Sequence, residues 1–509
     1  MYATVSAQQL KAWLADGQEL ALLDVREAGQ FGESHLFFAV PLPYSRFELE
    51  LPRLVPRKDV RLVLCDDGSS GVAGRAAKRA ASLGFSRVHV LEQGTAGWSA
   101  AGFQLYSGVN VPSKAFGELV EHARHVPRIS ARDLQAMRER GEPMVIVDGR
   151  PLAEYGKMNI PGGVCCPNGE LALRIGRIAP DARTKIVVNC AGRTRSIIGA
   201  QTLIDFGVPN PVVALENGTQ GWFLAGLELE RGAARRYPEA PSGSELEALR
   251  ARAEALAHRS QVPSISSSTL EKFLADRDRT TYVLDVRTAE EFAAASIAGA
   301  QHAPGGQLVQ ATDQWVGVRG ARLVLVDGEG VRAIVVANWL RQMGHDAYVL
   351  KDGIRAKVSV PAMPPPALPD LLDADPTSLE GARILDLRSS AAYRKGHVRG
   401  AAWAIRPRLP EAADGRVVLV AEERGVAQLA AIDLQEKGAR DVRFLDAARA
   451  ASLPQEATPG RPADGERIDF LFFTAKRHEG DRAAAEQYLA WETALVGQLD
   501  AAERGSFRL

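Results

Sequence analysis

Residues 185–207 read KIVVNCAGRTRSIIGAQTLIDFG, and this stretch carries both a fold signal and a chemical signal. Its opening run, KIVVN, is short, apolar and β-branched, which is typical of a buried strand. Ile197, Ala200 and Ile204 recur at helical spacing, so a helix with one face toward a core is predicted. The final glycine suits the left-handed position that closes a helix. The pattern therefore predicts a strand, a tight loop beginning at Cys190, and a helix.

The same succession of elements occurs four times along the chain. A short apolar run ending in Asp-x-Arg opens each copy, with its aspartate at Asp24, Asp148, Asp285 or Asp386. A second apolar run follows at 61–65, 185–190, 322–327 or 416–421, and then a helix that stops at Gly84, Gly207, Gly344 or Gly438. Strands that alternate with helices pair in parallel, so each copy is predicted to be an α/β domain with a mainly parallel sheet flanked by helices. Chemistry in such sheets lies at the carboxyl ends of the strands, where Cys190 is placed.

These copies divide the 509 residues into four tandem domains and a C-terminal extension. We place domain one at 1–105, domain two with a linker helix at 106–240, domain three at 260–357, domain four at 370–455 and the extension at 456–509. The segment PAMPPPALP (361–369) is typical of a stiff linker. In the extension, residues 466–480 predict a strand, and residues 482–499 predict a helix whose apolar positions around Tyr488 dock on one of the domains.

Composition excludes several classes of function. Lys plus Arg and Asp plus Glu both number 62, so no basic excess indicates a nucleic-acid surface. The four cysteines include no C-x-x-C pair and the nine histidines no H-E-x-x-H, so we expect no metal site and no cofactor. We also expect no membrane helix, because no run of about 18 apolar residues occurs. The start of the chain lacks the features of a signal peptide, and a cytoplasmic location is expected.

Cys190 lies where the chain turns from a strand into a helix, and this position favours the reactive form of a thiol. The free N–H groups and the dipole of a helix N-terminus stabilise an anion, and Arg193 and Arg195 add positive charge. Because the thiolate is the nucleophilic form, the residues predict a cysteine nucleophile in a cradle that also holds an anionic substrate. The alternative is a small buried residue at a strand end, which leaves the two arginines unexplained.

The Asp-x-Arg strand, the Pro-Gly-Gly turn at 161–163 and the loop Cys-Ala-Gly-Arg-Thr-Arg at 190–195 resemble the rhodanese superfamily. The resemblance covers most of residues 1–455 and is weakest in the fourth copy. It implies a sulfurtransferase of the thiosulfate type, in which Cys190 takes sulfur from a small anionic donor and passes it to a thiol, to cyanide or to a protein acceptor. The loop residues it implies for substrate binding are Ala191, Gly192, Arg193, Thr194, Arg195 and Ser196.

The other copies differ at the position of the nucleophile. Copy one has Cys65 there, followed by Asp66 and Asp67, whose carboxylates disfavour a thiolate and repel an anionic donor. Cys65 is therefore either a second site or the remnant of one. Asp327 and Ala421 take the position in copies three and four, and neither can form a persulfide. Copies three and four are predicted to be structural or interaction domains.

Two adjacent cysteines, Cys165 and Cys166, follow the Pro-Gly-Gly turn of copy two. One interpretation makes them small packed residues at a strand end. The other makes one of them a resolving thiol that accepts sulfur from Cys190. The sequence leaves both interpretations open.

Two other classes of function compete with sulfur transfer. Phosphatases and arsenate reductases of the same fold carry a longer loop, Cys-x5-Arg, whereas Cys190 and Arg195 are spaced as Cys-x4-Arg. The shorter loop favours a sulfur atom on the cysteine over a phosphate. A non-catalytic scaffold, or a persulfide carrier for a protein partner, is also compatible with two copies that lack the cysteine.

Overall fold

The computed structural model describes residues 2–362, 364–411 and 415–509. Within them the chain forms three five-stranded sheets, one four-stranded sheet and one two-stranded sheet. Every pairing within the four large sheets is parallel, and helices connect the strands. The predicted α/β class with four repeated parallel sheets is confirmed. No helix in these three stretches is long and apolar enough to cross a membrane.

Copy one alternates five strands with five helices. Its strands are β1 (Ala3–Val5), β2 (Leu20–Asp24), β3 (Val40–Pro41), β4 (Arg61–Cys65) and β5 (Val88–Leu91). Its helices are α1 (Ala7–Ala15), α2 (Ala28–Glu33), α3 (Phe47–Leu54), α4 (Val72–Ser82) and α5 (Gly94–Ala100). The strand order is β1-β5-β4-β2-β3, and every residue of β2 and β4 is buried. Burial on both faces explains why these two strands are continuous apolar runs rather than alternating ones.

Copy two repeats this order as β6-β10-β9-β7-β8. Its strands are β6 (Arg128–Ile129), β7 (Met144–Asp148), β8 (Val164–Cys165), β9 (Lys185–Asn189) and β10 (Val212–Leu215). Its helices are α6 (Val111–Arg124), α7 (Ala131–Glu139), α8 (Leu152–Lys157), α9 (Leu171–Ile178), α10 (Thr194–Phe206) and α11 (Gly218–Leu224). The predicted glycine stop of α10 is confirmed, because Gly207 follows the helix with a φ of 75°.

Copy three begins after the linker helix α12 (Gly243–Arg259) and has the order β11-β15-β14-β12-β13. Its strands are β11 (Ser264–Ile265), β12 (Thr281–Asp285), β13 (Gln301–His302), β14 (Arg322–Val326) and β15 (Asp346–Leu350). Its helices are α13 (Ser267–Ala275), α14 (Ala289–Ala294), α15 (Gly305–Gln310) and α16 (Arg332–Gln342). Thr288 and Glu291 form a capping box that starts α14.

Copy four has a smaller sheet of order β18-β16-β19-β20 beside an antiparallel pair, β17 and β21. Its strands are β16 (Arg383–Asp386), β17 (His397–Val398), β18 (Ala402–Trp403), β19 (Arg416–Ala421), β20 (Asp441–Asp446) and β21 (Gln455–Glu456). Its helices are α17 (Ser390–Lys395), α18 (Arg424–Glu436) and α19 (Ala447–Ala450). Where the other copies have a first edge strand, copy four makes a single bridge between Asp373 and Phe444. This difference matches the weaker resemblance of its sequence.

The extension confirms one sequence prediction and corrects another. The predicted helix is present as α20 (Arg482–Gln498), and α21 (Ala501–Arg504) follows it. The predicted strand at 466–480 is wrong, since this segment forms turns and short 3-10 helices. The carbonyl oxygen of Ile468 accepts hydrogen bonds from the amides of Gly29 (2.8 Å) and Gln30 (3.3 Å) in the first turn of α2. The apolar run therefore satisfies the free N–H groups of a helix end instead of joining a sheet.

The chain divides into two compact units, and neither unit is continuous in sequence. The first contains copies one and four, apart from Gly17–Glu19, with the extension as far as Phe473. There, buried Arg406 of copy four binds Glu48 of copy one at 2.5 and 2.8 Å. The second contains copies two and three with Thr474–Leu509. Each unit therefore joins one copy that has a cysteine at the carboxyl end of its central strand to one that has none there.

Copies two and three are held together at Arg332, which is 1% exposed. Its guanidinium binds Glu170 of copy two at 2.7 Å and, within copy three, Glu291 at 2.7 Å and Glu329 at 2.6 Å. A buried charge keeps its favourable energy only while its partners are present. This network therefore fixes copy three against the copy that carries Cys190.

We expect Arg332→Ala to lower the stability of the second unit by about 3–5 kcal/mol, because Glu291 and Glu329 lose their arginine and Glu170 keeps only Arg174. The matched control is Arg183→Ala, which removes an 86% exposed arginine from a surface pair with Asp181. That change should leave the unfolding midpoint nearly unchanged, because water and salt screen an exposed ion pair. Urea unfolding followed by circular dichroism measures both, and equal midpoints for the two variants would show that the network is not stabilising.

Candidate active site

Cys190 is the first residue after β9, and α10 begins four residues later at Thr194. The thiol is buried, with 2% of the residue exposed, and its Sγ lies 3.4 Å from the Oγ of Ser196. The Ser196 hydroxyl also donates to the carbonyl oxygen of Arg193 at 2.9 Å. Sulfur, hydroxyl and helix N-terminus therefore meet inside one tight loop, as the sequence predicts.

The backbone of this loop is fastened from the side by the first turn of α11. The amide of Thr219 donates to the carbonyl oxygen of Cys190 at 2.9 Å, and the amide of Gln220 donates to that of Ala191 at 3.0 Å. Gly218 has a φ of 55°, and a Cβ on it would lie 2.3 Å from the Cys190 oxygen. The glycine is therefore required for the close approach of the two chain segments. The carbonyl groups of the loop are held outward by these bonds.

Arg195 and Arg193 have different surroundings. The Arg195 guanidinium forms a two-pronged pair with Glu154 at 2.9 and 2.8 Å and lies within electrostatic reach of Cys190. Burial opposes ionisation of Glu154, yet Arg195 holds the pKa of that carboxyl below its usual value. Arg193 binds Glu118 at 2.6 and 2.9 Å and Glu121 at 2.7 Å. Two carboxylates compensate the charge of Arg193, whereas one half-exposed carboxylate faces Arg195.

The four Asp-x-Arg motifs form the same internal ion pair in every copy. In copy two, the Arg150 guanidinium binds Asp148 at 2.7 Å and donates to the carbonyl oxygen of Met158 at 2.6 Å. The equivalent pairs are Arg26 with Asp24 at 2.5 Å, Arg287 with Asp285 at 2.7 Å and Arg388 with Asp386 at 2.5 Å. The motif is therefore structural, since copies with and without a cysteine use it alike.

The C-terminal extension contributes side chains that sequence reasoning did not assign to the site. Glu492 of α20 is fully buried and accepts from the Thr194 hydroxyl at 2.5 Å and from the Lys114 ammonium at 3.1 Å. Tyr488, one turn earlier, accepts from Lys114 at 2.6 Å. The apolar positions around Tyr488 predict a docking helix, and the structure shows that α20 contacts α6, α11 and the loop after Cys190. The sequence predicts that this helix docks, but it does not indicate the surface on which the helix docks.

The segment just before α20 also reaches the site. The Arg477 guanidinium stacks on the Tyr488 ring at 4.6 Å, and its Nη1 donates to the hydroxyl of Thr474 at 2.8 Å. Nδ1 of His478 lies 3.3 Å from Nε2 of Gln220, whose backbone holds the loop. Burial lowers the pKa of His478 to about 3, so this imidazole is neutral at physiological pH. The extension thus places one cation, Arg477, and one neutral imidazole, His478, beside the site.

In copy one, the backbone amides of the loop after β4 are bound by carboxylates of the same loop. The Asp66 carboxylate accepts from the amides of Gly68 at 2.8 Å and Ala73 at 3.0 Å. Asp67 accepts from the amides of Ser69 and Ser70, both at 2.7 Å. These amides are the groups that would otherwise hold a substrate anion. Cys65 therefore stands in a cradle that its neighbouring carboxylates already occupy.

Burial, and then the nearby Asp24, raise the pKa of the Cys65 thiol well above its ordinary value. The charge of Arg26 opposes this effect, and Asp66 and Asp67 add to it. The thiol is completely buried, and its Sγ lies 3.4 Å from the carbonyl oxygen of Asp66. The environment therefore stabilises the protonated, unreactive form of Cys65.

Copy three resembles copy one in this respect. Asp327 takes the position of the cysteine, and its carboxylate accepts from the amides of Gly330 and Val331 at 2.9 Å and of Ala333 at 3.0 Å. Burial and the neighbouring Glu329 raise the pKa of Asp327. In copy four, Ala421 is the last residue of β19 and offers no reactive group. These two copies have no nucleophile at the end of the central strand.

Cys165 and Cys166 lie on the far side of β7 from Cys190. Asp148 of β7 pairs with Cys165 on one side and with Asn189 on the other, which separates the outer two backbones by about 9–10 Å. A disulfide requires Cα atoms within about 7 Å, so Cys165 and Cys190 cannot join without backbone movement. Burial, followed by Asp148, raises the pKa of Cys165 to about 12. This geometry favours the packing interpretation of the two cysteines.

Three comparisons relate this chain to known proteins. The model of the rhodanese-like domain family matches residues 6–101, 130–225 and 267–358. The crystal structure of a thiosulfate sulfurtransferase from Pseudomonas aeruginosa is 43% identical, covers 99% of both chains and superposes with a TM-score of 0.91. An HTH-type transcriptional regulator of Mycobacterium tuberculosis is 34% identical over 105 residues, which are 21% of this chain. The chain spans about 45% of the length of that curated relative.

Proposed function

Because the chain belongs to the rhodanese-like domain family, we propose that it is a sulfurtransferase of the thiosulfate sulfurtransferase type, with Cys190 as the sulfur carrier. One observation carries this proposal. Cys190 precedes a helix N-terminus whose loop, residues 191–196, contains no carboxylate of its own, and the carboxylate that reaches a loop amide, at Thr194, belongs to Glu492 of α20. The corresponding loops of copies one and three are bound by Asp66, Asp67 and Asp327.

The proposed reaction has two steps. The Cys190 thiolate attacks the outer sulfur of thiosulfate, the sulfur–sulfur bond of the donor breaks, and sulfite leaves with the electron pair. The outer sulfur is now bonded to Cys190 as a persulfide. A thiolate or cyanide then attacks that sulfur, the persulfide bond breaks, and the Cys190 thiolate is restored. No redox cofactor is needed, because the acceptor takes the sulfur and Cys190 recovers its electron pair.

The surrounding groups match the charges of this reaction. The Ser196 hydroxyl, 3.4 Å from Sγ, can donate its single proton to the thiolate in place of its present bond to the Arg193 carbonyl oxygen. The positive end of α10 favours negative charge at the same point. Arg195 is the proposed binding group for the sulfonate end of the donor, which would replace the contact with Glu154. Arg193 is held by two carboxylates, so we assign it to loop structure rather than to the donor.

The test of this function is turnover with defined substrates. Purified protein should convert thiosulfate and cyanide to sulfite and thiocyanate, and it should not hydrolyse an aryl phosphate. Hydrolysis of the phosphate without thiocyanate formation would instead place the protein among the phosphatases of this fold. Absence of both activities would favour a carrier or a scaffold.

Arg195→Ala is expected to lower kcat/KM for thiosulfate by roughly 10- to 100-fold, since a charge-assisted hydrogen bond contributes about 1.5–3 kcal/mol. Arg193→Ala serves as the comparison, and its effect should appear in thermal stability more than in donor dependence. Steady-state rates over a range of thiosulfate concentrations measure the first effect. An unchanged KM and kcat in Arg195→Ala would remove this residue from the donor site.

A further inference from the structure

The buried pair formed by Glu492 and Lys114 is the strongest feature that the proposed function leaves unused. Glu492 is 0% exposed and Lys114 is 7% exposed, and the pair lies between α20, α6 and the start of α10. Charged residues are seldom buried so completely unless they are paired and hydrogen-bonded. The groups that this buried pair binds therefore indicate its role.

The Glu492 carboxylate binds the first residue of α10 twice. Its Oε1 accepts from the Thr194 hydroxyl at 2.5 Å and lies 3.3 Å from the Thr194 amide, which is one of the free N–H groups at the helix start. The same oxygen accepts from Lys114 at 3.1 Å. Oε2 has no hydrogen-bond partner in the described structure. One carboxylate oxygen thus joins the extension, helix α6 and the loop after Cys190.

The electrostatics keep this carboxylate charged. Burial alone would raise the pKa of Glu492, but the Lys114 ammonium and the bonds from Thr194 hold it below its usual value. Burial likewise opposes the charge of Lys114, whose pKa is nevertheless raised by Glu492 and Tyr488. The ammonium therefore allows a strong anionic acceptor to sit beside the loop without adding a net charge there.

The extension also dictates a residue of the loop. A Cβ on Gly192 would lie 2.7 Å from Cε1 of Tyr488 and 2.8 Å from Oε2 of Glu492. Both distances are shorter than ordinary Cβ contacts, so a side chain at this position would force the buried Tyr488 and Glu492 side chains to move. The loop and α20 are therefore fitted to each other at two nearby positions, Gly192 and Thr194.

We propose that Glu492 is a positioning residue for the active loop of copy two, with Lys114 as the group that neutralises it. By binding the amide and hydroxyl of Thr194, Glu492 fixes the backbone between Cys190 and α10, on which the cradle for the transferred sulfur depends. The extension is thus part of the site. This inference rests on the proposed function for its meaning in catalysis, whereas its effect on the loop can be measured without turnover.

Two neutral double variants test the proposal. Lys114→Met with Glu492→Gln removes both charges but keeps an acceptor for Thr194, whereas Lys114→Met with Glu492→Met removes the charges and the acceptor. The second should have a kcat about 10-fold below the first or lower, because small misplacements of reacting groups are costly. KM for thiosulfate and the melting temperature should differ little between them. Thr194→Val against Thr194→Ser repeats the comparison from the other side of the bond.

The reactivity of Cys190 toward two alkylating agents measures the geometry of the loop without turnover. Peptide mass spectrometry gives the rate at which Cys190 reacts with iodoacetate, an anion, relative to iodoacetamide, which is neutral. This ratio should fall in Lys114→Met/Glu492→Met and in Thr194→Val. It should stay unchanged in Lys114→Met/Glu492→Gln and in Thr194→Ser. Equal ratios and equal kcat within both pairs would overturn the positioning role. Failure of the proposed function would appear differently, as a wild-type protein without turnover whose ratios still separate the two pairs.

Discussion

Replacing Cys190 with serine is expected to abolish thiocyanate formation, with a loss of at least about 1,000-fold. A serine hydroxyl is not ionised near neutral pH and cannot form the persulfide bond on which transfer depends. The substitution exchanges one small buried atom for another, and the Ser196 hydroxyl remains as a hydrogen-bond partner. We therefore expect an unchanged fold, which the circular dichroism spectrum and the melting temperature measure.

The matched control is Cys65→Ser, which changes the equivalent residue of copy one. Its loop is bound by Asp66 and Asp67, so we expect this variant to keep the turnover of the unmodified chain. The account is wrong about the nucleophile if Cys190→Ser keeps most of its activity. Loss of activity in Cys65→Ser alone would transfer the assignment to copy one.

The second large effect concerns loading of Cys65, which we expect thiosulfate to leave unmodified. Burial and Asp24 raise the pKa of this thiol well above its ordinary value, so the thiol is protonated at pH 7. Alkylation of Cys65 should be slow at neutral pH and should rise about tenfold for each pH unit between 7 and 9. The rate rises with pH because deprotonation, which the folded environment disfavours, supplies the reactive form.

Copy one can be given the residues of copy two to test this explanation. The double change Asp66→Ala and Asp67→Gly frees the amides of Gly68, Ser69 and Ser70 and removes two negative charges beside the thiol. Alkylation of Cys65 at pH 7, measured by peptide mapping, should then accelerate severalfold or more. A Cys65 that is loaded as readily as Cys190 in the unmodified chain would contradict the decayed-site interpretation.

Much of the fold could be predicted because the repeated signals are local. Apolar runs such as KIVVN and the helix-closing glycines depend on burial and backbone conformation within a few residues, and the structure confirms both. Residues 466–480 carry the same kind of apolar run but form no strand. Their apolar run bonds the start of α2 in copy one instead of an adjacent strand, and nothing within the segment itself encodes that partner.

The candidate site likewise has features that follow from local sequence and features that depend on long-range contacts. The position of Cys190 between a strand and a helix follows from the local pattern, and the acidic loop of copy one is visible as Asp66 and Asp67. The partners of the arginines come from helices distant in sequence, as with Glu118 and Arg193. Glu492 lies about 300 residues beyond Thr194, and only folding brings the two together. Long-range pairing of this kind has no periodic signature in a single sequence.

One measurement tests the central claim most directly. The intact protein is treated with thiosulfate, freed of excess donor and weighed by mass spectrometry, and the modified peptide is then identified. The account predicts a mass gain of one sulfur atom, carried by Cys190, that disappears after addition of cyanide and is absent in Cys190→Ser. A chain that gains no sulfur, or gains it on a cysteine other than Cys190, would contradict the account.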